Sequence, residues 1–125
     1  MLPPSVKIYL AVGPTDMRYG IDSLTGLVRR RGEVDVFSGH LFVFISRRRN
    51  RAKILFWDQG GFVLYYKRLE AGRFRLPRLR PGAQTLRLSS TQLAMLLSGV
   101  DLSRVRKPRH WMPPAAQVPK DRHSG

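Results

Sequence analysis

Three short runs of strand-forming residues, Leu41–Ile45, Ala52–Trp57 and Phe62–Lys67, follow one another with only Ser46–Arg51 and Asp58–Gly61 between them. β-Branched and aromatic side chains suit a pleated, half-buried surface. Links this short join antiparallel neighbours. The middle of the chain is therefore committed to an antiparallel sheet, and Gly60-Gly61 offers the positive φ that a tight hairpin needs. Upstream, Val6, Ile8, Leu10 and Val12 alternate with Lys7 and Tyr9, the pattern of a strand with one face buried. Arg73–Leu76 and Thr85–Leu88 alternate as well and read as further strands.

Two helices frame these strands. After the Gly13-Pro14 break, Thr15 is placed to cap a helix, with Asp16 in its first turn where the dipole favours an anion. Met17, Ile21, Leu24 and Val28 would form its apolar stripe, and Gly32 would stop it. Ser89-Ser90-Thr91-Gln92 reads as a capping box for a second helix. Leu93, Leu96, Leu97 and Val100 supply the buried face of that helix, with Gly99 as a stop.

The element order predicts an α+β domain over residues 5–102. Its mostly antiparallel sheet would hold about five to six strands, with two helices packed on one face. Residues 103–125 are rich in Arg, Lys and Pro and nearly lack aliphatic side chains, so they read as a disordered, mobile basic tail.

The 23 Lys and Arg against 8 Asp and Glu give a net charge of +15. That density repels itself unless an anion is near, and the abundant cellular polyanions are nucleic acids and acidic membranes. Membrane-surface binding calls for a lysine-faced amphipathic helix. Here the cations are mostly arginines in predicted loops and strands, and the planar guanidinium fork matches phosphate. The candidate DNA contacts are Arg29, Arg30 and Arg31; Arg47, Arg48, Arg49 and Arg51 at a hairpin tip; Lys53; and Arg73, Arg75, Arg78 and Arg80. Trp57, Tyr65 and Tyr66 are candidates for stacking on bases, although core packing is the commoner role of such aromatics and is favoured for Trp57.

Catalysis is poorly provided for. Two-metal chemistry needs converging carboxylates, and the acids Asp16, Asp22, Glu33, Asp35, Asp58, Glu70, Asp101 and Asp121 have no motif-like spacing. Asp35 with Asp58 is the best pair for a metal-dependent nuclease, the least favoured alternative. His40 with Asp35 could work as an acid–base pair, but a locally bonded turn is the favoured reading of Asp35–His40. Ser38 lacks a nucleophile elbow, and there is neither a P-loop nor a dinucleotide fingerprint. No cysteine is present, so disulfides and cysteine-ligated metals are excluded, and no cofactor is expected. No apolar run is long enough to span a membrane, and Met1–Ser5 lacks signal-peptide features.

Several blocks in order carry a resemblance. Thr15-Asp16-Met17-Arg18-Tyr19-Gly20-Ile21-Asp22-Ser23-Leu24 opens it. Phe37–Phe44, Asn50–Asp58, Gly61–Phe74 and Leu88–Asp101 follow. Together they resemble the accessory protein from the second reading frame of insertion sequence 66 type transposons, often labelled TnpB and unrelated to the RNA-guided nuclease of that label. The likeness runs from about residue 5 to 102; Tyr19, Ser23 and Phe56 depart from the usual residues.

This resemblance implies a non-enzymatic accessory role in bacterial DNA transposition, beside a large transposase that carries the catalytic acids. Its partners would be DNA, as transposon ends or non-specific duplex, together with the transposase and the element's other accessory protein. The expected location is the cytoplasm, on the nucleoid. The alternative is a module that docks on the transposase without touching DNA.

Overall fold

A computed structural model describes residues 5–99. The order is β1 (Ile8–Ala11), α1 (Ile21–Arg31), β2 (Leu41–Ile45), β3 (Arg51–Asp58), β4 (Gly61–Arg68), β5 (Thr85–Leu88) and α2 (Ser90–Ser98). The strands form one sheet in the order β4-β3-β2-β1-β5. β1 runs parallel to β2, and every other pairing is antiparallel. The α+β class expected from the sequence is the class observed. The expected basic tail, residues 103–125, lies outside the described residues.

β2 explains the layering. All five of its residues, Leu41-Phe42-Val43-Phe44-Ile45, are buried. Successive side chains point to opposite faces, so both faces of β2 need cover. Leu41, Val43 and Ile45 join Ile8, Leu10, Ala52, Ile54 and Leu88 beneath Leu93 and Leu96 of α2. Phe42 and Phe44 join Ala11 and Leu55 beneath Leu24 and Val28 of α1. The helices therefore lie on opposite faces of the sheet. This corrects the expectation of two helices on one face, and the reason is a continuous apolar run that a one-sided sheet could not accommodate.

α1 begins later than the sequence suggests. Gly20 is its N-cap, with no side-chain bond. Thr15 and Met17 lie outside the helix because other bonds, most of them tertiary, hold the preceding turn. The Thr15 N–H donates to the Ile45 carbonyl (2.9 Å), and the Asp16 carboxylate accepts from the Arg18 N–H (2.9 Å). Lys53 Nζ, on the sheet, donates to the Met17 (2.8 Å) and Tyr19 (2.7 Å) carbonyls. Carbonyls engaged this way do not serve a helical ladder. The far end behaves as read: Gly32 is a left-handed C-cap at φ 70°.

α2 follows its sequence signals closely. Ser89 Oγ accepts from the Gln92 N–H (3.0 Å), and Gln92 Oε1 accepts from the Ser89 N–H (2.8 Å). Gly99 ends the helix in the left-handed conformation. The β3–β4 turn uses Gln59 and Gly60, with φ of 42° and 91°. Positive φ at both central residues is the two-residue geometry that matches strand twist, one residue earlier than the expected Gly60-Gly61.

Arg73–Leu76 is the predicted strand that does not form. It pairs with no strand; instead Phe74 enters the α2-side core at 1% exposure. Pro77 and Pro81, which have no N–H to donate, follow it. Its main chain is tied to the β2–β3 turn by the Phe74 N–H donating to the Arg49 carbonyl (2.6 Å).

His40 locks the parallel joint. The Lys7 N–H donates to His40 Nδ1 (3.0 Å), and the Leu41 N–H donates to the Lys7 carbonyl (2.9 Å). Asp35 faces elsewhere, accepting from the Phe37 N–H (3.0 Å). The locally bonded turn is thus the arrangement found. Burial, then the charges of Lys7 and Arg87, hold the imidazole below its ordinary pKa of 6.5.

Two outcomes follow from this packing. Phe74→Ala should cost about 3–5 kcal/mol in urea unfolding, the range for emptying a buried aromatic site. The His40 effect has a definite sign. The folded state resists protonation more than the unfolded chain does, so stability is complete above pH 6.5 and declines as pH falls below it. Unfolding at about pH 7.5 and 5.5 should show this loss, and His40→Ala should reduce it.

Candidate nucleic-acid interface

The turn between β2 and β3 is held from one residue. Ser46 is buried at 8% exposure. Its N–H donates to the Arg51 carbonyl (3.0 Å) and its carbonyl accepts from the Arg49 N–H (2.9 Å). Its hydroxyl accepts from the Arg51 N–H (3.1 Å) and lies 3.3 Å from Asn50 Oδ1. Arg49 sits at φ 62°, a left-handed conformation that costs a non-glycine residue on the order of 1 kcal/mol. The backbone is fixed by Ser46, so the arginine side chains are not needed to close the turn. Arg47, Arg48, Arg49 and Arg51 are all exposed.

A second basic segment is tied to this tip. The Leu69 N–H donates to the Asn50 carbonyl (2.7 Å), and the Phe74 N–H to that of Arg49 (2.6 Å). With Phe74 buried between them, Arg73 and Arg75 are exposed on either side. The chain then carries exposed Arg78 and Arg80 toward β5. It arrives at Gln84, whose carbonyl accepts from the Val12 N–H (3.0 Å) just past β1.

The strand register puts these features at one end of the sheet. Ala11 pairs with Thr85, Ile45 with Ala52, and Arg51 with Arg68. The hairpin tip, the Arg73–Arg80 segment and Arg68 therefore share an end. α1 brings its last turn to the same end, because Arg31 Nη1 donates to the Gln84 carbonyl (2.7 Å). Arg29 and Arg30 remain exposed beside it. The opposite end holds the Asp58–Gly61 turn, the Asp35 loop leading into β2, and a cluster in which Trp57 lies 5.1 Å from Phe37 and 5.0 Å from Phe62.

Two acids at the basic end are paired with arginines. Asp16 meets Arg18 at 2.7 Å, and Glu70 meets Arg68 at 3.0 Å. Hydrogen bonds from Arg18 lower the Asp16 pKa to about 2. Both pairs are exposed, so their contribution to stability is small.

Two candidates have structural tasks instead. Lys53 is half-buried; its ammonium bonds the Met17 and Tyr19 carbonyls and lies 5.4 Å from the centre of the Tyr66 ring. Arg31 spends a guanidinium nitrogen on Gln84. Sequence reading also passed over Arg68 and Arg18. Arg68 was within reach: counting back along the ladder from the two-residue turn sets Arg68 opposite Arg51. The aromatics are dispersed, with Trp57 at the far end and Tyr65 and Tyr66 on opposite faces of β4. Among the described residues, no group of three or more His, Asp and Glu is placed to hold a metal ion. No helix among them is long and apolar enough to cross a membrane.

Comparison with known proteins agrees with the order of the sequence blocks. Residues 6–107 match the family TnpB_IS66, described as IS66 Orf2 like protein. Uncharacterized protein y4jC of Sinorhizobium fredii is 37% identical over 109 residues, spanning 86% of this chain and 92% of the relative. Uncharacterized protein y4hO of the same organism is 40% identical over 103 residues, spanning 81% and 88%. No solved structure matches this chain. The buried positions at Leu24, Phe42, Phe44 and Phe74 all fall within the matched span, and the chain belongs to the IS66 Orf2-like family of insertion-sequence accessory proteins.

Proposed function

We propose that this protein is a non-enzymatic accessory factor of transposition that grips DNA phosphates with the arginine end of its sheet. The observation that carries the reading is the Phe74 N–H to Arg49 carbonyl bond. It holds two basic segments, distant in sequence, against each other. Phosphate contacts fix position without reading sequence, and guanidiniums make them with paired donors. The grip would hold transposon ends, or duplex near them, for the large transposase and the element's other accessory protein.

The transposase-docking alternative has its own support. On the α2 face, away from the arginines, an apolar groove of about 490 Å³ is lined by Val6, Leu41, Ile54, Phe56, Trp57 and Tyr65. The two readings use different ends of the molecule and separate by mutation. Arg47→Glu/Arg49→Glu should abolish DNA binding and leave transposase pull-down intact.

With about six phosphate contacts, affinity for duplex DNA should fall roughly a thousandfold between 50 and 200 mM salt. Each exposed arginine removed should flatten the log–log slope by about one. Arg47→Ala and Arg75→Ala should do so in a gel-shift titration. Lys53→Ala should lower stability and leave the slope unchanged. A salt-independent affinity would refute DNA binding by this end.

A further inference from the structure

β4 is an edge of the sheet, and among the described residues no strand pairs with its outer side. The two-residue turn sets which groups are free. Asp58 and Gly61 flank it as a hydrogen-bonded pair, and such pairs alternate along an antiparallel ladder. The backbone groups of Phe62, Leu64, Tyr66 and Arg68 therefore point outward.

Natural edges are blunted by proline, bulges, inward charges or a covering segment. β4 has neither proline nor charge from Gly61 to Tyr66, and it pairs with β3 without a bulge over eight residues. Val63, Tyr65 and Tyr66 are exposed along it, at 38%, 43% and 49%. The other edge, β5, is only four residues long, with Pro81 shortly before it and α2 directly after. The apolar groove on the α2 face adjoins β4 at Tyr65.

We infer that β4 pairs antiparallel with β4 of a second copy of this chain, giving a two-fold dimer with one continuous sheet. The edge is self-complementary about a two-fold axis, which suits a second copy, and the local charges along β4 select the direction. Lys67, bonded to the Leu97 carbonyl, and Arg68, paired with Glu70, leave one end of β4 net cationic, while the other adjoins Asp58 across the turn. Antiparallel pairing sets the basic end of each copy beside the acidic turn of the other. Parallel pairing would stack the two cationic ends. Centred on Tyr65, the register opposes Tyr65 to Tyr65, Leu64 to Tyr66, and Phe62 to Arg68. Aromatic and cation–π pairs across strands are favourable. A two-fold contact of this kind is self-complementary. The inference does not depend on DNA binding. If both hold, the two arginine ends face in opposite directions, one at each side of the joined sheet.

The test uses the absence of cysteine from the sequence. In this register Tyr65 faces its mate as a non-hydrogen-bonded pair with Cα atoms about 4.5 Å apart, within disulfide reach of about 4.4–6.8 Å. Oxidised Tyr65→Cys should form a disulfide dimer at least about tenfold faster than Thr85→Cys on β5. Unmodified protein should dimerise in sedimentation between about 10 and 500 µM. Because a chain of +15 repels its copy, association should strengthen with salt, opposite to DNA binding. Tyr65→Lys, which places like charges at the axis, should raise the dimer dissociation constant about tenfold. A monomer at every concentration and salt, with Tyr65→Cys no faster than Thr85→Cys, overturns the proposal.

Discussion

Burial of β2 on both faces is the constraint on which the rest of the molecule depends. A central strand with apolar side chains above and below cannot be satisfied by one covering layer, so α1 and α2 take opposite sides. Two connections must then leave the sheet toward different faces. Residues 12–20 lead to α1, with Met17 and Tyr19 packed on the α1 side. Residues 69–84 pass on the α2 side, where Leu69, Phe74 and Leu76 pack. The register places both connections at the end of the sheet that carries the β2–β3 turn. Arginines scattered through the sequence converge there because the layering brings their segments together.

Convergence of like charge is unfavourable by itself. Unit charges about 4 Å apart in water repel by roughly 1 kcal/mol, and less when salt screens them. The fold tolerates this because the backbone of the basic end is held by neutral groups. Ser46 closes the turn, Asn50 and Arg49 accept from Leu69 and Phe74 through main-chain carbonyls, and the Phe74 ring is seated in the core. No guanidinium at the tip closes the turn in the way that Lys53 holds the Met17–Tyr19 segment. The tip arginines stay exposed on a rigid frame, an arrangement that lowers the ordering cost of gripping a polyanion.

Much of this was legible in the sequence, and the exceptions have physical causes. The capping box at Ser89 and Gln92, the stop at Gly32 and the central strands are local signals, and they formed as local signals do. The start of α1 was misplaced because its decisive bonds are tertiary: nothing near Thr15 announces that Lys53 will take the Met17 and Tyr19 carbonyls. Arg73–Leu76 alternates like a strand, but alternation reports only that one side is buried, and an unpaired segment that packs Phe74 and Leu76 on the core produces the same pattern. The placement of the helices was readable and was missed: five consecutive apolar residues in β2 already required cover on both sides.

Among the candidate site residues, sequence reading could identify the cations but not distinguish their tasks. Lys53 and Arg47 are both basic residues near a hairpin. The difference is that Lys53 lies in the strand, two residues past its start, with carbonyls of another segment above it, whereas Arg47 projects from a turn with water around it. That distinction depends on the pairing register and on where residues 12–20 cross. It follows that total charge is a poor guide to the footprint of a partner. On the proposed reading the footprint is set by exposure as well as charge, and the exposed cations are the arginines of the 47–51 and 73–80 segments, with Arg29 and Arg30 at their flank.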